Sequence, residues 1–167
     1  MSKRLGSEPD PHKGGHYISH PFSNRFSEKF KGGHVAVHFL KYRGVIQSMG
    51  SLVPEFLPYG ILIFFGETAP EELRDTALVH NGTQLASELA AGDYLKFSPS
   101  SANEQPQSYR VTAVGESANA NLAELGHVVI HFDGASTAKL PGAISVEPAL
   151  EALPTVGTTF EFFGLKE

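Results

Sequence analysis

The 167-residue sequence contains no cysteine. This absence excludes disulfides, thiolate metal sites and cysteine nucleophiles, and it suits a reducing compartment. Long apolar runs are also missing, because the most apolar stretch, residues 60–65 (GILIFF), has the length of a strand and not of a membrane-spanning helix. Lys3 and Arg4 are not followed by the apolar stretch that a signal peptide needs. We therefore expect a cytoplasmic protein.

Several familiar catalytic signatures are absent from the sequence as well. It has no Gly-x-Ser-x-Gly elbow, no evident Ser-His-Asp arrangement and no Walker loop. The composition is acidic, with 18 Asp and Glu against 13 Lys and Arg. An acidic surface argues against nucleic acid as the main partner and would attract a basic protein partner.

The first 40 residues differ in composition from the rest of the chain. They are rich in His, Gly, Ser and Lys, and they hold five of the eight histidines: His12, His16, His20, His34 and His38. The spacing of the first three would place their imidazoles on one helical face, as a metal site could use. Gly14, Gly15 and Pro21 oppose a helix there, and no carboxylate cluster completes a site. We therefore expect residues 1–40 to be a disordered extension and residues 41–167 to form the domain.

Short apolar and β-branched runs, separated by glycine and proline, make up the rest of the sequence. We expect eight strands, at about 41–48, 60–65, 76–80, 92–97, 109–114, 127–132, 143–146 and 158–163. Short helices are expected at 68–74, which opens with a capping box, and at 120–125, which Asn119 would cap and Gly126 would close. With no strand-helix-strand rhythm, this pattern predicts an all-β fold, a single barrel-like or sandwich-like domain with two or three short helical turns.

His80 ends the strand at 76–80, directly before the tight turn that Asn81-Gly82 predicts. The strand would fix the backbone and the turn would expose the ring to a docking partner. A neutral imidazole in such a place can attack a phosphoryl group. On the pattern alone, however, a lone strand-end histidine is more often structural.

Three runs in the second half of the chain are familiar together: TAVGESANANLAELGHVVIHFDG, LPGAISVEP and TTFEFFGLKE. They resemble the glucitol/sorbitol-specific enzyme IIA component of the bacterial phosphotransferase system, over about residues 41–167. The resemblance implies a phosphoryl carrier that is charged by the histidine-containing phosphocarrier protein. It would pass the group to a cysteine of the glucitol/sorbitol-specific IIB unit, which serves the IIB/IIC membrane permease. It implies no metal and no other cofactor, and the absence of cysteine fits a IIA component without a fused IIB unit.

The resemblance also implies site residues. In this family the phosphorylated histidine ends the strand that follows an Ala-Pro-x-x-Leu helix, and residues 69–73 (APEEL) and 78–80 (LVH) match that order. His80 would then be the phosphohistidine intermediate. Some members have a second histidine two residues later, where this chain has Gly82. His127 matches the family's Leu-Gly-His-Val run and would orient the phosphoryl group, although a structural histidine at a strand start is an equal alternative.

Two other functions stay open on the sequence. One is a non-catalytic ligand-binding or regulatory barrel of the same fold, which the missing second histidine allows. The other is a small metal-dependent hydrolase that uses His80, His127 and a carboxylate such as Asp133, and it predicts stoichiometric bound metal.

Overall fold

Eight strands close into a barrel in the computed structural model, which describes residues 27–29 and 35–166. The described residues contain nine strands, of which β2 to β9 form the ring. They are β1 Ser27–Lys29, β2 Val35–Met49, β3 Ile61–Phe65, β4 Leu78–His80, β5 Tyr94–Ser98, β6 Gln107–Val114, β7 Val128–His131, β8 Ala143–Glu147 and β9 Thr159–Lys166. The helices are α1 Val53–Phe56, α2 Glu71–Arg74 and α3 Ala118–Leu125, and a single 3₁₀ turn covers Leu57–Tyr59.

The strand order around the ring is β2-β4-β3-β7-β8-β6-β5-β9, and β9 pairs back to β2. The ninth strand, β1, pairs with β2 antiparallel. Most neighbours in the ring are antiparallel, but β3 pairs with β4 and β7 pairs with β8 in parallel. Helix α2, which lies within the short helix expected at 68–74, connects the parallel strands β3 and β4 and so forms one strand-helix-strand unit.

The core fills the inside of the barrel. Alternate side chains along the strands of the ring point inward, as the period of two in a β-strand requires. In β5, for example, Leu95 and Phe97 are buried while their neighbours are half-exposed. The largest inward side chains include Tyr42, Phe64, Phe160 and Phe162, all within 1% of full burial.

The all-β barrel predicted from the sequence is confirmed, and its eight expected strands are the eight strands of the ring. The domain boundary at residue 41 stays a prediction, and in the structure β2 begins at Val35 and pairs with β9 from Val37 onwards. Residues 27–29 and 35–40, which belong to the stretch expected to be disordered, lie in β1 and β2. For residues 1–26 and 30–34 the prediction lies outside the described residues, as do His12, His16, His20 and His34.

Over the part of the chain that the structure describes, no helix has both the length and the apolar character needed to cross a membrane.

Candidate functional site

His80 is the last residue of β4, and its ring lies inside the barrel. β4 runs between β2 and β3, and all three of its side chains are buried. The imidazole is 0% exposed and packs edge-on against three aromatic rings, of which Phe160 is nearest at 4.9 Å between centroids. The expectation that a turn exposes this ring is therefore wrong, because both neighbouring strands and the chain that follows cover it.

Both ring nitrogens of His80 contact backbone groups. The Gly82 N–H donates a hydrogen bond to Nδ1 at 3.0 Å, and Nε2 lies 2.7 Å from the Gly126 carbonyl oxygen. Because a backbone N–H can only donate and a carbonyl can only accept, Nδ1 holds the lone pair and Nε2 carries the proton. Burial lowers the pKa of His80, against the smaller opposing effects of the Gly126 carbonyl and the Glu67 carboxylate. The ring is thus a neutral imidazole held in one tautomer.

The end of α3 covers the Nε2 edge of this ring. Gly126 closes the helix in the left-handed conformation (φ 65°), as the sequence predicted, and its carbonyl points at His80. A Cβ at Gly126 would lie 2.9 Å from the Gly66 Cα and 3.0 Å from the His80 Cε1. Gly66 in turn donates its N–H to the Leu125 carbonyl at 2.9 Å. Two glycines therefore allow backbone to approach the ring directly.

The start of α3 differs from the prediction. The helix begins at Ala118 after Ser117, and Asn119 does not cap it. Instead the Asn119 side chain bonds to both backbone groups of Leu89, accepting from N–H at 2.7 Å and donating to the carbonyl at 3.1 Å. A tertiary partner has replaced the local one, so the predicted cap is wrong. The contact ties α3 to the chain that leaves β4.

Residues 81–86, called the cover segment below, lie over the Nδ1 edge of the ring. The tight turn predicted at Asn81-Gly82 is wrong, because Asn81 bonds to Val45 of β2 and the chain continues beside that strand. The Asn81 N–H donates to the Val45 carbonyl at 3.3 Å, and the Val45 N–H donates to the Asn81 side-chain oxygen at 2.8 Å. One further bond, from the Ala86 N–H to the Lys41 carbonyl at 2.8 Å, joins the segment to β2.

A cavity of about 490 Å³ lies between the cover segment and β2. Its lining includes Tyr42, Gly44 and Gly82. These elements lie close together. A Cβ on Gly44 would be 3.0 Å from the His80 Nδ1, and a Cβ on Gly82 would be 2.5 Å from the Arg43 carbonyl. The cavity therefore reaches the backbone that borders the Nδ1 edge of the ring.

Tyr42 is a residue of this site that the sequence analysis missed. It is 1% exposed, and among the described residues no group pairs with its hydroxyl. Burial raises the pKa of Tyr42 to about 12. No sequence signal indicated that Tyr42 belongs to the site. In the sequence it is one apolar position of the first expected strand, and it contacts Gly82 only in the folded barrel.

His127 lies directly after Gly126 and before β7. Its Nδ1–H donates to the Phe64 carbonyl at 3.1 Å, and its half-buried ring stacks on Phe65 with centroids 4.4 Å apart. The end of α3 thus brings the two histidines of the sequence prediction to one region, with Gly126 between them.

Asp133, the third residue of the hydrolase alternative, lies beyond the opposite end of β7 from His127. Its carboxylate accepts from the Ala135 N–H at 3.1 Å and pairs with Lys139 at 3.2 Å. Within residues 27–29 and 35–166, no group of three or more His, Asp or Glu side chains could hold a metal ion. The structure therefore gives the metal-dependent alternative no ligand set there.

Comparison with known proteins gives a consistent result. Residues 41–161 match the model of the family described as PTS system glucitol/sorbitol-specific IIA component. Two proteins named PTS system glucitol/sorbitol-specific EIIA component, from Shigella flexneri and Escherichia coli (strain K12), are each 34% identical to this chain over 126 residues, which is 75% of this chain and 97% of each relative. The crystal structure of a PTS system IIA component from Enterococcus faecalis V583 superposes with a TM-score of 0.60 and 25% identity, covering 72% of this chain and 98% of the other.

Proposed function

The chain belongs to the glucitol/sorbitol-specific IIA family of the phosphotransferase system, and on that premise we propose that His80 is the residue on which it carries the phosphoryl group. The family makes the chain a phosphoryl carrier for sugar uptake. The observation that carries the assignment of His80 is the state of its ring, a neutral imidazole whose tautomer is fixed by Gly82 and Gly126.

An imidazole attacks phosphorus through the nitrogen that holds the lone pair. At His80 this is Nδ1, while the proton stays on Nε2 beside the Gly126 carbonyl. Because burial lowers the pKa of His80, the neutral and nucleophilic form prevails at neutral pH. Attack by Nε2 would require the proton to move to Nδ1 and the Gly126 contact to break. The ³¹P chemical shift of the phosphorylated protein assigns the nitrogen.

The ring must be uncovered before either nitrogen can react, and the cover segment is the element that we expect to move. Asn81, Thr83, Gln84 and Ala86 are exposed, and Leu85 is the member of the segment that packs against the core. Loops with few buried contacts open at low free-energy cost. Movement of this segment would connect the adjoining cavity to the Nδ1 edge of His80.

His127 would orient the phosphoryl group in this proposal. Its Nδ1–H is already bound to the Phe64 carbonyl, which leaves Nε2 as the nitrogen that can turn toward an incoming group. When protonated, Nε2 would donate a charge-assisted hydrogen bond to a phosphoryl oxygen. His127→Ala should then slow the transfer without abolishing it, since His80 remains.

Membership of the family supports a proposal for the partners. The donor in this proposal is the histidine-containing phosphocarrier protein, and the acceptor is the glucitol/sorbitol-specific IIB unit of the IIB/IIC permease. We infer from these partners that the carrier acts in the cytoplasm. The chain's net charge of −5 would attract a basic carrier, and added salt should slow that association.

The test is intact mass after incubation with phosphoenolpyruvate, enzyme I and the phosphocarrier protein. The wild type should gain one acid-labile phosphoryl group, and His80→Gln should gain none. No added mass on the wild type, with the phosphocarrier protein itself phosphorylated, would contradict the carrier role. Added mass on His80→Gln would keep the function and move the acceptor to another residue, with His127 tested next.

A further inference from the structure

The hydroxyl of Tyr42 is a buried donor that has no partner among the described residues. The side chain is 1% exposed, and nothing in the described part of the chain accepts a hydrogen bond from it. Buried polar side-chain atoms in proteins are paired in the large majority of cases, because an unpaired one loses its bonds to water and gains nothing in return. An exception of this kind needs a physical explanation.

The Tyr42 ring lies beside the covered edge of His80. The two rings meet edge to face, with centroids 5.9 Å apart and planes at 85°. A Cβ on Gly82 would lie 2.7 Å from the Tyr42 Cε1 and 3.1 Å from Cζ, the carbon that bears the hydroxyl. Gly82 is also the residue whose N–H holds Nδ1 of His80. The hydroxyl end of Tyr42 is therefore at the cover segment, and the ring lines the cavity there.

We propose that the Tyr42 hydroxyl donates a hydrogen bond to the phosphoryl group carried by His80, which makes Tyr42 a further catalytic residue of this site. The inference rests on the proposed function. In the resting protein no described residue pairs with the hydroxyl, and an oxygen of the incoming phosphoryl group is the acceptor in this proposal.

The transfer step balances with the groups present. A nitrogen of His80 forms a bond to phosphorus, the bond from phosphorus to the leaving atom of the phosphorylated donor protein breaks, and the leaving atom keeps the electron pair. For attack by Nδ1 the ring proton stays on Nε2 at the Gly126 carbonyl. The phosphoryl oxygens enter a buried and aromatic surrounding, where a fixed donor stabilises their charge far more than it would in water.

The acid–base state of Tyr42 suits this role. Its pKa is raised to about 12, so the hydroxyl keeps its proton throughout the physiological range. It therefore acts as a donor and does not become an anion that would repel the phosphoryl group.

The experiment compares Tyr42→Phe with the wild type, and uses Tyr59→Phe as the matched control because Tyr59 is 75% exposed on the turn before β3. We expect Tyr42→Phe to be phosphorylated at His80 about 10- to 100-fold more slowly, the loss of one hydrogen bond to a charged group. Its phosphohistidine should also hydrolyse faster, and its ³¹P resonance should shift. The melting temperature of the unphosphorylated variant should be unchanged or higher, since no bond is lost in the resting protein.

Wild-type rates and an unshifted ³¹P resonance in Tyr42→Phe would overturn this inference and leave the carrier role of His80 intact. A fall of several degrees in its melting temperature would overturn it too, because the hydroxyl would then be paired in the resting protein. A wild type that takes up no phosphate would instead contradict the proposed function itself.

Discussion

The two stretches of backbone that cover His80 differ in how they are held. The end of α3 contacts His80 and Gly66, the residue after β3, through glycine backbones that leave no room for a Cβ. The Gly126 N–H is hydrogen-bonded to carbonyls of α3 itself. The cover segment lies beside β2 on three hydrogen bonds, next to a cavity, with most of its side chains exposed. We therefore expect the end of α3 to be a rigid wall on one edge of the ring and the cover segment to be a removable wall on the other. The buried imidazole would then be reached from a single direction.

The largest effect is expected at the rigid wall. Gly126→Ala should lower the free energy of unfolding by about 2–4 kcal/mol, because the new Cβ meets Gly66 and His80 and the left-handed conformation is strained as well. Gly92→Ala is the matched control, since Gly92 also has positive φ (99°) but a Cβ there would meet nothing within 4 Å. Urea unfolding of both variants measures the difference. Equal losses would mean that the contact with His80 is not tight.

The next effect is on the pH dependence of stability. The pKa of folded His80 lies below its ordinary value of 6.5, as does that of half-buried His131, chiefly through burial. As pH falls through about 6.5, the unfolded chain binds protons that the folded chain does not bind. The free energy of unfolding therefore falls until the pH reaches the pKa of the folded state. Each group contributes at most about 1.4 kcal/mol per pH unit. Urea unfolding between pH 7.5 and 5.5 should show a shallower loss for His80→Gln than for the wild type. Parallel curves would show that His80 is not held neutral.

A smaller effect on stability is expected at the removable wall. A Cβ on Gly82 would come within 2.5 Å of the Arg43 carbonyl, but we expect the cover segment to shift away from it and the end of α3 to stay in place. Gly82→Ala should cost only about 1 kcal/mol and should raise the pKa of His80 toward 6.5 as water reaches the ring. NMR titration of the imidazole measures this, with Thr83→Ala as control. A stability loss as large as that of Gly126→Ala would show two rigid walls.

The smallest effect is expected for Asn81→Ala. It removes the side-chain bond to the Val45 N–H, which is solvent-exposed, so global stability should fall by no more than about 1 kcal/mol. Hydrogen exchange of the Gly82 N–H should nevertheless become faster, because the cover segment opens more often. Unchanged exchange would mean that other contacts hold the segment closed.

The sequence predicted the eight ring strands because each is a short apolar or β-branched run with a flanking glycine or proline. It could not predict what those strands enclose. The burial of His80 depends on contacts with Gly126 and Phe160, residues far away along the chain. The two wrong local predictions have a shared cause: Asn119 and Asn81 have side chains suited to a cap or a turn, and in the fold each finds a backbone partner on another element. The alternation that marks Tyr42 as inward-facing carries no information on whether its hydroxyl is paired.

The pairing of β2 with β9 has a consequence for the chain during its synthesis. The ring closes between its first and last strands, with Val37 opposite Lys166, so the barrel cannot be completed until the ribosome has released nearly the whole described sequence. Pairing over so long a separation also makes spontaneous closure slow. Until then His80 has no interior to occupy, and a nascent or truncated chain would present its imidazole to solvent with an ordinary affinity for protons.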